Sequence, residues 1–332
     1  MHVPAQQRGS ELSVVTLPGW AGPLLLSERR AGRWSAAAVP GDPRWLRQEG
    51  ESWRCSEITY SVCGTESEIM QRSRWNPALV LPVCITCILV SSVTLEMLYL
   101  ILTNSGSEQF PLLMLTLYLL FNVVGNMLKF VQSNATIKGV FLEHGSTGQG
   151  WLYCYTCQTH IPPRCHHCYD CNVCVLRRDH HCTLLGKCVG YSNYRYFLCA
   201  LLHGLLALLL ATILNAEIFV DLMHEGFSLH SFFLLIMPWM MLIIGQVTAS
   251  TFIFAFVADT CVVGFLFCLA FLMLHCVLLY RGASTKEWFS GHANDYNYGW
   301  KKNVPNFLGE RWYLVWLSPW IHSRLPGDGI TF

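Results

Sequence analysis

The chain is 332 residues long and 53% apolar, with only 13% charged residues split between 22 basic and 21 acidic side chains. A soluble globular chain carries about 25% charged residues, so the composition excludes one large soluble domain and points to a protein that crosses a membrane several times. A formal net charge of +1 lacks the basic footprint of a nucleic-acid binder.

Residues 1–77 mix Gly, Pro, Arg, Ser and Trp without a period or an apolar run of membrane length, and read as a poorly ordered tail. The run Leu24 to Leu26 is too short for a signal-peptide core. Residues 78–131 hold two spans: Ala78 to Leu102 carries one charge, Glu96, and Pro111 to Val131 one, Lys129. About 20 residues at 1.5 Å per residue cross a bilayer. Residues 132–195 are polar and contain the densest cysteines. Residues 196–280 are apolar again, with a third span from Tyr196 to Val220, a loop holding Asp221 and Glu225, and a last span from Thr251 to Tyr280 around Asp259. Between them, Ser231 to Val247 is interrupted by Pro238. Residues 281–332 close the chain.

Lys and Arg in short loops collect on the cytoplasmic side. Arg72 and Arg74 precede the first span, and Lys138, Arg164, Arg177, Arg178, Lys187 and Arg195 follow the second. Arg281, Lys286, Lys301 and Lys302 follow the last, while the loops Thr103 to Phe110 and around Asp221 have none. The alternation requires an even number of crossings. Four transmembrane helices are expected, with both termini and residues 132–195 cytoplasmic, and Ser231 to Val247 as a re-entrant or interfacial segment broken at Pro238. Glu96 and Asp259 are expected to face the bundle interior, protonated or hydrogen-bonded to Asn122, Asn126 or Thr groups.

Eight of the 16 cysteines fall between Cys154 and Cys188. Four Cys-x-x-Cys steps join Cys154 to Cys157, Cys165 to Cys168, Cys168 to Cys171 and Cys171 to Cys174. Two residues between thiolates let a tight knuckle present both sulfurs to one zinc. With five histidines nearby there are more than the eight ligands that two closed tetrahedral sites need, so a thiol is left free to react. A reactive thiol needs a base, and the base needs a partner that fixes its tautomer. In an extended segment His180 and Cys182 project to one side and His181 to the other, which makes His180 the candidate base and His181 a metal ligand. Asp179 then serves His180 only if the backbone bends between them. Zinc thiolates nearby make a thiolate at Cys182 harder to form, and His180 is the adjacent group able to offset them.

Asp179-His180-His181-Cys182 inside this cysteine pattern, between two pairs of spans, resembles the DHHC-type zinc-finger protein S-acyltransferases over roughly residues 78–315. The resemblance implies an all-α polytopic membrane protein with a cytoplasmic two-zinc module between its second and third helices. It implies Cys154, Cys157, His167 and Cys174 on one structural zinc and Cys168, Cys171, His181 and Cys188 on the other. It further implies Cys182 as acyl-accepting nucleophile, His180 as its base and Asp179 as the residue that orients His180. Cys165 and His166 are left as non-ligands, with His166 the alternative to His167. Ser284-Thr285-Lys286-Glu287 is similar to the family's Thr-Thr-x-Glu motif, and Asn303 with Phe307, Leu308 and Gly309 resembles its C-terminal element, so Thr285, Glu287 and Asn303 are expected to support the site. The chain departs from the family at Thr183-Leu184, where Pro-Trp is usual, and at Lys187, where Asn is usual.

The implied activity is a protein-cysteine S-palmitoyltransferase that carries a long-chain acyl group from palmitoyl-CoA through Cys182 to membrane-proximal cysteines of protein substrates. The expected location is an endomembrane, Golgi or ER. Arg177, Arg178, Lys187 and Arg281 are candidates for the CoA phosphates, since phosphate favours Arg and Lys. Two rival classes are a non-catalytic zinc-stabilised membrane scaffold, suggested by Thr183-Leu184, and an ion transporter, which would need more convergent polar residues across the spans than Glu96, Asp259 and a few Asn.

Overall fold

The structure is a computed structural model that describes residues 12–15, 24–29, 33–38, 77–103, 106–138, 150–216, 220 and 228–331. Two compact units divide at Asn76. In the first, strands β1 (Leu12–Val15), β2 (Leu24–Arg29) and β3 (Arg33–Ala38) pair as an antiparallel meander in that order. The expectation of a poorly ordered tail otherwise falls outside the described residues.

The second unit begins with α1 (Pro77–Thr103) and α2 (Gln109–Gln132). After the cysteine-rich module come α3 (Tyr194–Leu214), α4 (Leu229–Ile236), α5 (Pro238–Ile243) and α6 (Ala249–Arg281). Two short helices, α7 (Thr285–Phe289) and α8 (Trp300–Leu308), follow. Four of these, α1, α2, α3 and α6, are long and apolar enough to cross a membrane, as expected. The third is described as a helix to Leu214 with Asn215 as its C-cap, the Asn215 amide donating to Ala211 O (3.0 Å) and to Glu96 Oε2 (3.2 Å), while residues 217–219 before the expected end at Val220 lie outside the described residues. The loop around Asp221 and Glu225 lies outside the described residues.

Ser231 to Val247 divides where the missing N–H of proline requires it. Met237 leaves the helical region (φ −138°, ψ 57°) and Pro238 starts α5 at its first turn, so neither α4 nor α5 reaches membrane length. The expected partners of Glu96 are corrected. Asn122 and Asn126 spend their amide N–H groups on carbonyls one turn back in α2, Tyr118 O (3.1 Å) and Asn122 O (2.8 Å). An asparagine inside a helix finds that acceptor nearer than a carboxylate on another span.

Between α2 and α3 stand three two-stranded hairpins: β4 (Leu152–Cys154) with β5 (Thr159–Ile161), β6 (His166–Cys168) with β7 (Val173–Val175), and β8 (His180–Cys182) with β9 (Lys187–Val189). Lys187 joins the third hairpin to the membrane bundle, donating to Val131 O (2.6 Å) and Ser133 O at the end of α2. A cation satisfies orphan carbonyls there and complements the helix dipole. One buried core, containing Phe130, Val189, Tyr194, Phe197, Leu279, Phe307 and Leu308, runs through the ends of α2, α3, α6 and α8 and the third hairpin. That shared core fixes the hairpin against the spans.

Candidate active site and zinc centres

Cys154, Cys157, His167 and Cys174 converge, as do Cys168, Cys171, His181 and Cys188, with the ligand atoms of each set within 4.8 Å of one another. In the first, Sγ of Cys157 lies 3.3 Å from His167 Nδ1 and 3.6 Å from Cys174 Sγ. In the second, Cys171 Sγ lies 3.3 Å from His181 Nδ1 and 3.7 Å from Cys188 Sγ. Zinc bonds of about 2.3 Å to sulfur, arranged tetrahedrally, put sulfurs about 3.8 Å apart, so both sets fit zinc with no open position. Cys165 stays outside: burial and the neighbouring Cys154 and Cys157 push its thiol up to about 12. His166 also stays outside, burial and the charge of Lys286 holding it down at about 4.

In the third hairpin His180 pairs with Val189, His181 with Cys188 and Cys182 with Lys187. Alternation sends His181 to the second metal set and leaves His180 and Cys182 on the other face. The chain passes through a left-handed residue at Arg177 (φ 42°), after which Asp179 joins the hairpin by donating its N–H to Val189 O (2.9 Å). The buried Asp179 carboxylate then lies with Oδ2 2.7 Å from His180 Nδ1. Burial opposes the His180 imidazolium, but hydrogen bonds to Asp179 and Cys182 outweigh it and raise the group to about 9. Burial likewise works against the Asp179 carboxylate, and His180 and Thr285 overcome it, keeping Asp179 below the usual carboxylate range.

The α7 motif completes this arrangement across more than one hundred residues of chain. Thr285 donates to Asp179 twice, from its N–H (2.8 Å) and its Oγ1 (2.6 Å). Ser284 and Glu287 form a capping box at the helix start, and Glu287 takes a two-point contact from Arg164 Nε (2.7 Å) and Nη2 (2.8 Å). Asn303 is buried, donating to Tyr280 O (2.8 Å) and accepting from the N–H of Tyr298 (3.1 Å). It occupies the space beside Gly282, where an added Cβ would stand 2.7 Å from its Oδ1. The capped end of α6 therefore requires glycine there, at φ 71°.

The four cations considered for phosphate have separate surroundings. Arg177 is buried between the rings of Phe307 (4.0 Å) and Tyr191 (5.0 Å) and donates to Asn306 O (2.7 Å). Lys187 caps α2. Against the pull of burial, Cys188 and Cys168 raise the Arg178 guanidinium, so Arg178 offsets the sulfur charge of the second metal set, and His180 is not alone in doing so. Among the described residues Arg281 bonds only the side chain of Asn294 (3.0 Å) and leans on Trp288.

His275 of α6 is one more histidine of the site. It is fully buried, bonds Tyr194 OH through Nδ1 (3.0 Å) and stands with its ring 5.8 Å from that of His180. Phe197 and Phe271 set their rings edge-on to the same imidazole, at 5.2 and 5.7 Å. The available signal was a histidine within a span, where ionisable residues are functional candidates by default. The turn Thr183–Leu185 after Cys182 packs against α1, bringing the thiol to the end of the spans.

Residues 148–292 match the DHHC palmitoyltransferase family. The chain is 49% identical over 264 residues to "Probable palmitoyltransferase ZDHHC24" of Danio rerio, covering 76% of this chain and 89% of that protein. It is 46% identical over 258 residues to the Homo sapiens protein of the same description, covering 76% and 90%. A more distant relative, "Palmitoyltransferase ZDHHC2" of Danio rerio, is 34% identical over 192 residues, 54% of this chain and 46% of that protein.

Proposed function

The chain belongs to the DHHC palmitoyltransferase family, and from that premise we propose that it moves a long-chain acyl group, palmitoyl, from acyl-CoA through a Cys182 thioester to membrane-proximal cysteines of protein substrates. The observation that carries this reading is the 2.7 Å contact of Asp179 with His180, on the hairpin face that also holds Cys182. His180, raised to about 9, takes the Cys182 proton ahead of the attack and holds it as an imidazolium; the sulfur attacks the thioester carbonyl, the new S–C bond forms, the bond to CoA breaks, and His180 returns the proton to the CoA sulfur. In the second half-reaction His180 accepts the proton of a substrate thiol, whose sulfur bonds the acyl carbon; the Cys182 S–C bond breaks, His180 returns the proton to Cys182, and the acylated substrate leaves. Asp179, held by Thr285, keeps the His180 tautomer that accepts at the Cys182 side.

Zinc would be held by Cys154, Cys157, His167 and Cys174 and by Cys168, Cys171, His181 and Cys188, and would supply structure alone, because four protein ligands close each site. Arg281 is the cation of the original four with the fewest internal ties, and we assign the CoA phosphates to it. The acyl tail lies among the spans, beginning beside α1 and the Thr183–Leu185 turn. The enzyme works with both termini and the zinc module on the cytoplasmic side of an endomembrane. Labelling with an alkyne fatty acid tests the proposal: the native chain should carry a hydroxylamine-sensitive label that Cys182→Ser lacks. Equal labelling of the two would overturn Cys182 as the acyl carrier.

A further inference from the structure

Beyond α8 the sequence runs uncharged from Trp312 to Ile321, between Arg311 and His322. Ten residues cannot span a bilayer as a helix, but a re-entrant segment of that length can enter one. The structure closes this run into a loop. Glu310 N–H bonds Arg324 O (2.9 Å), Arg311 N–H bonds Ser323 Oγ (3.0 Å), and Ser323 Oγ donates to Leu308 O (3.0 Å). Arg195, one residue into α3, also donates to Ser323 O and holds this neck at the module end of the bundle.

From the neck the loop descends along the spans. The carbonyl of Val315 meets Cys199 of α3 at 3.6 Å, and that of Leu317 accepts from Tyr118 OH of α2 at 3.2 Å. Trp320 stacks on Phe121 at 5.0 Å. Gly125 permits that approach: a Cβ there would stand 2.6 Å from Pro319 and 2.7 Å from Trp320. At 1.5 Å per residue these α2 positions lie roughly 10 to 20 Å below its end at Gln132. A hydrocarbon core is about 30 Å thick, so a segment beside them is inside it. Tyr313, Leu317 and Trp320 nevertheless remain 60%, 56% and 54% exposed on the protein.

We propose that residues 311–323 form a lipid-inserted loop, pinned at its neck and seated in the bilayer leaflet on the zinc module's side, with Tyr313, Leu317 and Trp320 against acyl chains. The occupant of this surface is lipid because the surface is continuous with the lipid-facing side of α2. Arg311, His322 and Arg324 ring the neck at headgroup depth, where cationic and aromatic side chains anchor. Through Val315 the loop shares the core that holds the third hairpin, so membrane insertion also fixes the C-terminal element against the site.

The test uses the unsubstituted full chain in phosphatidylcholine nanodiscs, with hydroxyl-radical footprinting and a phosphatidylcholine carrying a diazirine in its acyl chain. Tyr313 and Trp320 should be oxidised several-fold less than Tyr155 and Tyr169 on the module, and the photolipid should cross-link to the peptide spanning 312–321. Oxidation equal to that of Tyr155 and Tyr169 would overturn the proposal. So would protection without lipid cross-linking, since a second copy or another protein would then be covering the loop.

Discussion

The first two hairpins of the module and the third are built on one pattern and do different work. Each hairpin repeats the previous one fourteen residues on: Cys154, Cys168 and Cys182 end the first strands, and His160, Cys174 and Cys188 stand at the middle of the second. The left-handed turn residues Gln158, Asn172 and Gly186 keep the same step. Each metal set borrows across this repeat, taking Cys154 and Cys157 with His167 and Cys174, then Cys168 and Cys171 with His181 and Cys188. Cys182 therefore sits where the earlier hairpins place a zinc ligand. Its own knuckle is incomplete, because Leu185 replaces the second cysteine and, among the described residues, no fourth hairpin supplies the rest. The free thiol is what remains when a ligand-bearing repeat stops one unit short, and Asp179, His180 and Thr285 gather on that unit alone.

The largest effect should come from breaking the second metal set, which ties the second hairpin to the third. Cys171→Ala should drop zinc from two per chain to one or none and abolish acylation, since such sites supply on the order of 10 kcal/mol of apparent folding energy. Elemental analysis that still finds two zincs would show that Cys171 is no ligand. Leu185→Cys probes the comparison from the other side. It restores a Cys-x-x-Cys pair at Cys182, which should form a disulfide under oxidation and take up a soft metal under reduction, each lowering alkyne labelling. Labelling at the native rate in reductant and in chelator alike would mean that Leu185 is not what keeps Cys182 free.

Next in size is His180→Ala, which keeps every zinc ligand and removes the base. Two zincs should remain while acyl-enzyme formation falls by roughly 100-fold or more. Undiminished loading of Cys182 would remove His180 from the chemistry and leave the third hairpin differing from its neighbours only in its missing metal.

What could be read from the chain beforehand divides by sequence separation. The spans and the Cys-x-x-Cys knuckles rest on runs and spacings within about thirty residues, where side-chain period and ligand geometry are local, while the division of the ligands into two sets came from the family resemblance. The break at Pro238 is legible for the same reason. Thr285 against Asp179, Arg164 against Glu287 and His275 beside His180 join positions about one hundred residues apart, and no local pattern says which helix end meets which hairpin. Lys187 reads as a candidate for phosphate because its acceptors, Val131 O and Ser133 O, exist only once α2 ends beside the third hairpin. The loop from Trp312 to Ile321 was hidden by its length. The fourteen-residue period was present in the sequence but blurred, since His160 and Leu185 stand where the pattern elsewhere has cysteine.

The smallest and sharpest effect is expected from the groups that serve His180 without touching the thiol. Asp179→Asn keeps the shape and removes the charge. His180 is raised to about 9 by its bonds to Asp179 and Cys182 against the pull of burial, while a free histidine titrates near 6.5. A group raised on folding adds stability that is complete below its unfolded value and is lost as pH climbs through the folded one. In the native enzyme that window runs from about 6.5 to about 9. Without the carboxylate burial dominates, so the inflection assigned to His180 in the pH profile of thioester formation should move to lower pH, and the rate at neutral pH should fall less than in His180→Ala. Thr285→Ala removes one of two donors to Asp179 and leaves the N–H, so it should move the inflection in the same direction by a smaller step. An inflection that stays in place in Asp179→Asn would show that Cys182 alone sets the His180 proton, and the third hairpin would then need no buried carboxylate to differ from the other two.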